Sequence, residues 1–364
     1  MCSREMQEIS LQNEKRKLIR RSMPDRSQRI RRIVQWLFLI LNGGLGIQFV
    51  LWVRYFERGG VGVNVPRPAG AEGWLPIAGL MNTKYLLQTG RVPAIHPAAM
   101  FLFIAFMIMS LLLKKAFCSW LCPVGTLSEH LWKLGRRFFG RNLRLPKWAD
   151  FPLRSLKYVL LGFFVFVIGA MSADAIHEFM STPYGLIADV KMLNFFRDIG
   201  QTAVIVIALL VLLSMLVQNF WCRYLCPYGA LMGLASLLSP VKIRRDSRAC
   251  IDCGKCSRAC PSNLPVDRLV QIRSVECTAC MACVAACPAE GALHFSLRPR
   301  EAATLAERWW RRSVGPVAVA ATLACIFFGI VLYAKVTGHW QTNLPQAIYL
   351  DLVPHANDAS HPGI

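Results

Sequence analysis

Five apolar stretches, separated by basic segments, constrain the fold of this chain more than any other feature. A helix needs roughly 20 apolar residues to cross a hydrocarbon core of about 30 Å, and two of the stretches are near the short limit. Five such runs argue against buried helices of a soluble protein, as does a composition of 54% hydrophobic and only 17% charged residues. We therefore predict an α-helical polytopic membrane protein with about five transmembrane helices. The stretches are residues 33–53, 97–113, 156–173, 202–217 and 314–334.

The formal net charge of +21 would suit a nucleic-acid-binding protein, but the positions of the charges indicate membrane topology instead. Residues 1–32 carry ten Lys or Arg, and residues 114–157 carry another ten. Short segments rich in Lys and Arg stay in the cytoplasm. We therefore expect the N-terminus and the cysteine-rich segment 220–312 on the cytoplasmic side, the C-terminus outside, and no nucleic-acid partner. The long basic start does not match a cleavable signal peptide.

An internal repeat accompanies the apolar stretches. The segment FCSWLCPVGTL at residues 117–127 returns as WCRYLCPYGAL at residues 221–231. Each copy directly follows an apolar stretch, so the repeating unit is two spans plus a cysteine motif. A duplicated membrane unit is expected to place its two motifs at the same depth.

Eight of the fourteen cysteines form two successive runs with the spacing C-x2-C-x2-C-x3-C-P. This is the spacing of bacterial two-cluster ferredoxins, in which the fourth cysteine of each run ligates the other cluster. Zinc is the alternative for a lone CxxC pair, but two such runs do not match a tetrahedral zinc site. We predict a small α+β 2[4Fe–4S] ferredoxin-like domain over residues 241–300. The predicted ligands are Cys250, Cys253, Cys256 and Cys287 for cluster 1, and Cys277, Cys280, Cys283 and Cys260 for cluster 2.

The repeated CxxxCP motifs supply four more cysteines, and their chemistry is less determined. Within each motif the two cysteines lie one helical turn apart, so each pair could present two thiolates on one helix face, with Pro123 or Pro227 breaking the helix there. Brought together, the four could bind a further cluster or a different metal; structural buried thiols or a redox-active dithiol are the alternatives. Cys325 is interpreted as a small apolar residue of the fifth span, and Cys2 has no partner in the sequence. The four motif cysteines are Cys118, Cys122, Cys222 and Cys226.

Four titratable residues in the predicted outer segments are candidates for a quinol or proton site. They are Glu72, His96, His177 and Glu178. Oxidation of a quinol requires proton acceptors near the membrane surface, and His or Glu can serve. The alternative is that these residues only cap helices or line loops. No catalytic triad or nucleotide-binding loop is present, so we expect an electron-transfer subunit rather than a stand-alone enzyme.

Over residues 33–340 the chain resembles the NosR/NapH/CcoG-type membrane polyferredoxins. The resemblance rests on the two CxxxCP motifs and the eight ferredoxin cysteines, with softer matches at residues 75–77, 84–85, 184–190 and 338–342. It implies a protein of the bacterial inner membrane that passes electrons between the quinone pool or a cytoplasmic donor and a periplasmic redox partner. Some members instead support maturation or regulation of copper- or molybdenum-containing reductases, and a redox sensor is a third alternative.

The lengths of the flanking segments favour the NapH-like short members of this group. The N-terminal arm is shorter than the flavin-binding domain of NosR-like proteins, and the tail is shorter than the extra domain of CcoG-like proteins. The expected domains are a basic cytoplasmic arm at 1–32, a membrane domain of four spans at 33–240, the ferredoxin-like domain at 241–300, and a fifth span with a short periplasmic tail at 301–364.

Overall fold

The computed structural model describes residues 20–21, 25–297 and 313–361, and these are mostly helical. Short 3-10 turns cover Ala69–Trp74 and Ser236–Leu238, and a π-helical turn covers Trp221–Leu225. The helices are α1 (Ser27–Glu57), α2 (Pro76–Thr89), α3 (Pro97–Leu113), α4 (Ala116–Trp120), α5 (Pro123–Phe139), α6 (Lys147–Ala170), α7 (Ala173–Ser181), α8 (Pro183–Leu186), α9 (Ala188–Arg197), α10 (Gln201–Leu216), α11 (Pro227–Ala235), α12 (Lys255–Ala259), α13 (Ala282–Ala286), α14 (Pro316–Val336) and α15 (Gln346–Leu352), and the strands are β1 (Lys242–Arg245) and β2 (Leu293–Ser296).

Three of the described helices are long and apolar enough to cross a membrane: α1, the Trp148–Ala170 part of α6, and α14. A fourth span is possible if α9 and α10, which meet at a bend of 83°, count together. The apolar residues of α1, α6, α10 and α14 that face outward include Ile40, Phe166 and Ile205, each more than 60% exposed. A large exposed apolar surface of this kind is stable only against lipid. The structure thus confirms a mostly helical membrane protein.

The second apolar stretch, by contrast, is a buried central helix rather than a long span. The 17 residues of α3 are largely buried, and α2, α11 and α14 pack against it. Pro97 occupies the first turn, where its missing N–H costs nothing. The helix ends at Lys114, whose φ of 61° cannot continue a right-handed helix. Five apolar stretches in the sequence therefore give three or four helices of spanning length among the described residues.

The two copies of the repeat have the same local structure. In each, an apolar helix (α3 or α10) leads into a short helical turn, and the second cysteine of the motif precedes a new helix with proline in its first turn. The copies pack crosswise, because α5 of the first copy contacts α10 and α11 of the second copy contacts α3. This exchange brings both cysteine motifs to the same end of the helices.

The ferredoxin-like segment is closed by one antiparallel pair of strands. β1 pairs with β2 so that Ile243 lies opposite Phe295, and both side chains are buried. Between the strands the chain forms two cysteine loops, each followed by a one-turn helix, α12 or α13, which contact each other. The strands therefore hold the two loops side by side.

Candidate metal centres and the cavity between the helices

The two ferredoxin loops enclose two small cavities, and four cysteines line each of them. The last cysteine of each run lines the cavity of the other run, which is the grouping that the exchanged ligand assignment predicts. The first cavity is lined by Cys250, Cys253, Cys256 and Cys287, and the second by Cys260, Cys277, Cys280 and Cys283.

The backbone of both loops takes the same unusual path. Residues two and four positions after the first cysteine have positive φ in each loop: Asp252 and Gly254 in one, Ala279 and Met281 in the other, with φ between 50° and 64°. The left-handed region costs a non-glycine residue roughly 1–2 kcal/mol. Strain repeated at equivalent positions is typical of a functional site, and here it curls each loop around its cavity.

The chemistry of the donors fits iron–sulfur clusters better than a single ion. Among the described residues, no group of three or more His, Cys, Asp or Glu side chains is placed to hold one metal ion. A zinc ion needs its four sulfur ligands at about 2.3 Å, whereas a cluster spreads them around a larger core. Burial raises the pKa of the Cys260 thiol to about 12, with Cys280 and Cys277 adding to the effect. Deprotonation of such thiols requires the positive charge of bound iron.

The four cysteines of the CxxxCP motifs line one cavity between the helices, although the two motifs lie 104 residues apart in the sequence. The prediction that each pair lies on one helix face is wrong. Cys118 belongs to α4 and Cys222 to the π-helical turn, whereas Cys122 and Cys226 are extended residues that precede α5 and α11. The chain must leave the helix here because proline begins the next one.

Two helix N-termini therefore point toward this four-cysteine site. The backbone N–H of Gly229 donates to Sγ of Cys226 at 3.2 Å. Free N–H groups and the helix dipole at an N-terminus stabilise a negative charge such as a thiolate. Gly125 is required in the first copy, because a Cβ there would come within 2.0 Å of the carbonyl oxygen of Cys118. In both copies, then, the second cysteine of the motif directly precedes a helix N-terminus.

The first CxxxCP motif contacts the loop of cluster 2 directly. Oγ of Ser119 donates to the carbonyl of Thr278 at 2.6 Å, and Nε1 of Trp120 donates to the carbonyl of Ala279 at 3.2 Å. Both acceptors lie between Cys277 and Cys280. The four-cysteine site therefore adjoins the loop that carries Cys277 and Cys280.

The cavity that reaches the four cysteines has a volume of about 770 Å³ and a mostly apolar lining. Ligand pockets of proteins usually have about 300–1,000 Å³ and a few polar groups in an apolar wall. Aromatic and aliphatic side chains such as Phe103, Phe106 and Phe327 form the wall. At the end of the helices opposite the cysteines, Arg67 lines the same cavity.

Arg67 belongs to a buried network of charged side chains. Its guanidinium donates to Glu72 at 2.8 Å and to Asp189 at 2.5 Å, and Nδ1 of His96 lies 3.3 Å from the Glu72 carboxylate. The hydroxyl of Thr342 donates to Glu72 at 3.0 Å. In the described part of the chain, Nε of Arg67 has no hydrogen-bond partner. Arg67 therefore lines the cavity while its other guanidinium nitrogens are hydrogen-bonded to the two carboxylates behind it.

The pKa values in this network follow from its charges. Burial by itself raises the pKa of the Glu72 carboxyl, but Arg67 and His96 outweigh it and hold that pKa below its usual value. Burial likewise lowers the pKa of His96, and the Glu72 carboxylate outweighs it, so the pKa is raised. Each of the two groups therefore favours the charged form of the other.

Comparison with known proteins adds to this geometry. Residues 95–142 and 199–246, which contain the CxxxCP motifs, match a 4Fe-4S binding domain model, and residues 242–288 match a 4Fe-4S dicluster domain model. The chain is 50% identical over 91% of both chains to YccM of Escherichia coli K12, by its name a candidate electron transport protein. The chain belongs to the NapH-like family of ferredoxin-type membrane proteins. No solved structure matches it.

Two further relatives show the breadth of the NapH-like family. The ferredoxin-type protein NapH of E. coli K12 is 29% identical over 58% of this chain and 72% of its own length. The methylamine utilization ferredoxin-type protein MauN of Methylorubrum extorquens is 29% identical over 52% of this chain and 61% of its own length. Iron–sulfur electron transfer in a membrane is the activity that these findings support.

Within this family fold, the structure sorts the four outer candidates into two groups. Glu72 and His96 lie together in the buried network, whereas His177 and Glu178 are exposed on α7 and line neither the network nor the cavity. Grouping all four in one site was wrong, because α7 buries Ile176 and Met180 and turns the neighbouring side chains outward.

Sequence reasoning did not assign a role to Arg67, Asp189 and Thr342, the other members of the network. They come from three segments that are far apart in the chain, so no local spacing connects them. Asp189 and Thr342 lie in two of the weaker matches to the polyferredoxin group, and this resemblance was the one feature of the sequence that could have drawn attention to them. Cys2 lies outside the described residues, and Cys325 is exposed on α14, on the side that faces lipid in a membrane.

Proposed function

We propose that this protein passes electrons between the quinone pool and redox partners through three iron–sulfur centres: one at the four CxxxCP cysteines and two in the ferredoxin-like domain. The observation that carries the proposal is the apolar cavity, which is lined by Arg67 at one end and by the four cysteines at the other. A quinol is an apolar molecule with two ring oxygens, so an apolar wall with a single guanidinium group at one end suits it.

The residues of the network would bind and deprotonate the quinol. Arg67, which lines the cavity, would donate to a ring oxygen, and the Glu72 carboxylate bonded to it would take up a proton through the network. Oxidation of a quinol releases two protons and two electrons, and the bound clusters supply one-electron acceptors. The topology proposed from the basic segments puts this network on the periplasmic side and the ferredoxin-like domain in the cytoplasm.

Iron content tests the number of centres. The full chain, purified anaerobically in detergent, should contain about twelve irons and acid-labile sulfides, since each [4Fe–4S] cluster brings four of each. The Cys122→Ala/Cys226→Ala double variant should fall to about eight. Cys325→Ala is the matched control, because this exposed cysteine lines none of the three cavities described above. A double variant with unchanged iron would refute the membrane centre.

Reduction by a quinol tests the substrate. A short-chain quinol added under argon should produce the EPR signals of reduced clusters, and a quinone analogue that fills the cavity should suppress them. Clusters that dithionite reduces but the quinol leaves oxidised would contradict direct quinol oxidation. That outcome would favour a cytoplasmic donor and a role in maturation of a copper- or molybdenum-containing reductase.

A further inference from the structure

Two buried lysines lie between the four-cysteine site and the loop of cluster 2. The side chain of Lys157 is fully buried, and that of Lys115 is only 3% exposed. Lysine is almost never buried unless a charge partner compensates it. The balance of positive and negative side chains around these two ammonium groups therefore indicates whether a further negative charge is needed there.

The available carboxylates do not balance the positive charges at this place. Lys157 forms an ion pair with Glu276 at 2.5 Å, and Lys115 and the same Glu276 line one pocket. Beside them, Asp150 pairs with both Arg154 and Arg223. Four cations thus face two carboxylates, an excess of two positive charges. Arg31, Lys133 and Glu129, which line the neighbouring pocket, add one more.

The excess positive charge faces the motif cysteines. Lys115 lines the apolar cavity together with all four motif cysteines. It also lines a pocket of about 120 Å³ on the ferredoxin side, and Cys118 and Cys222 line that pocket as well. Neutral thiols give a buried ammonium group little compensation, whereas a cluster with four thiolate ligands carries net negative charge.

We propose that Lys115 is the counter-charge of a cluster bound by Cys118, Cys122, Cys222 and Cys226. The Lys157–Glu276 pair positions the Lys115 ammonium group in this role. The inference rests on the membrane centre of the proposed function. The net charge around a cluster is one of the factors that set its reduction potential. A positive charge at Lys115 stabilises the reduced, more negative cluster and so raises the potential of this centre relative to the same site without it.

A redox titration followed by EPR tests the role of Lys115. Lys115→Met should retain the iron of the wild type and lower the potential of the membrane centre, with a smaller change at cluster 2 and none at cluster 1. Lys115→Arg should restore the potential toward the wild-type value. Lys335→Met is the matched control, because Lys335 lines the same cavity from the end of α14 and is exposed. An unchanged potential in Lys115→Met at full iron content would overturn the proposal.

A second variant gives a shift of opposite sign. Glu276→Gln removes the carboxylate between the two lysines, so it should raise the potentials of the membrane centre and of cluster 2. This measurement decides the matter if Lys115→Met does not fold, and a lowered or unchanged potential would count against the proposal. Iron that stays at about eight in the wild type would instead refute the membrane centre itself, so the two failures are distinguishable.

Discussion

The two ends of the helices carry opposite kinds of chemistry. At one end, twelve cysteines gather around three cavities, and the buried charges nearby are mainly cationic. At the other end, Arg67, His96 and two carboxylates form a buried network of charged side chains. Thiolates suit iron and single electrons, whereas histidine and carboxylates suit protons. The cysteine sites and the titratable network thus lie at opposite ends of the apolar cavity, and under the proposed function electrons and protons are transferred at different ends.

The largest effects are expected from replacing single cysteines of the ferredoxin-like domain. Cys260→Ala should abolish the EPR signal of the same cluster as Cys280→Ala, although Cys260 belongs to the first run. Cys287→Ala should likewise abolish the same signal as Cys253→Ala. Each variant should lose about four irons, because a missing ligand at a buried thiolate site releases the cluster. If Cys260→Ala and Cys253→Ala instead remove the same signal, the exchange of ligands between the loops is wrong.

The two ends also differ in what the sequence could reveal. The eight ferredoxin cysteines lie within 38 residues at fixed spacings, so their grouping into two sites could be predicted from the chain alone. The repeat pointed to a common depth for the CxxxCP motifs, but not to the crosswise packing of α5 on α10 and α11 on α3. The partners of Glu72 come from residues 67, 96 and 342, and only tertiary packing brings them together.

Length is the other limit of prediction from the sequence. An apolar stretch of 17 residues can be a central helix or a short span, and hydropathy is high in either case. What distinguishes them for α3 is burial by α2, α11 and α14, which depends on the rest of the fold. The bend of 83° between α9 and α10 could not be predicted either, because the apolar pattern of the sequence marks α10 but not the direction of α9 before it.

The next largest effect is expected at the opposite end, from Arg67→Leu. This change leaves Asp189 as an uncompensated buried carboxylate and Glu72 with His96 alone, which costs about 3–5 kcal/mol of stability. Reduction of the clusters by a quinol should be lost, while reduction by dithionite should be retained. Thermal unfolding in detergent and EPR would check the two parts separately.

The control for Arg67→Leu is Arg197→Leu. Arg197 also forms an ion pair at this end, with Glu57 at 2.6 Å, but its side chain is 36% exposed. An exposed pair of this kind contributes about 0–1 kcal/mol. Equal destabilisation by the two variants, or normal quinol oxidation in Arg67→Leu, would show that the buried network is not the functional part of this end.

The smallest expected effect is a pH dependence that belongs to only one end of the molecule. The pKa of His96 is raised because the Glu72 carboxylate outweighs burial. A raised pKa gives stability that is fully present below the unfolded value of about 6.5 and is lost as the pH rises through the folded value. The melting temperature should therefore fall as the pH is raised from 6 toward 9, and the His96→Gln variant should show a flatter profile.

At the cysteine end, Arg31 and Lys133 outweigh burial and hold the pKa of Glu129 at about 2, so its stabilising charge is unchanged across this range. A Glu129→Gln variant should be less stable than the wild type by the same amount at pH 6 and pH 9. If it flattens the profile and His96→Gln does not, the pH-sensitive charges lie at the cysteine end and the division of roles is reversed.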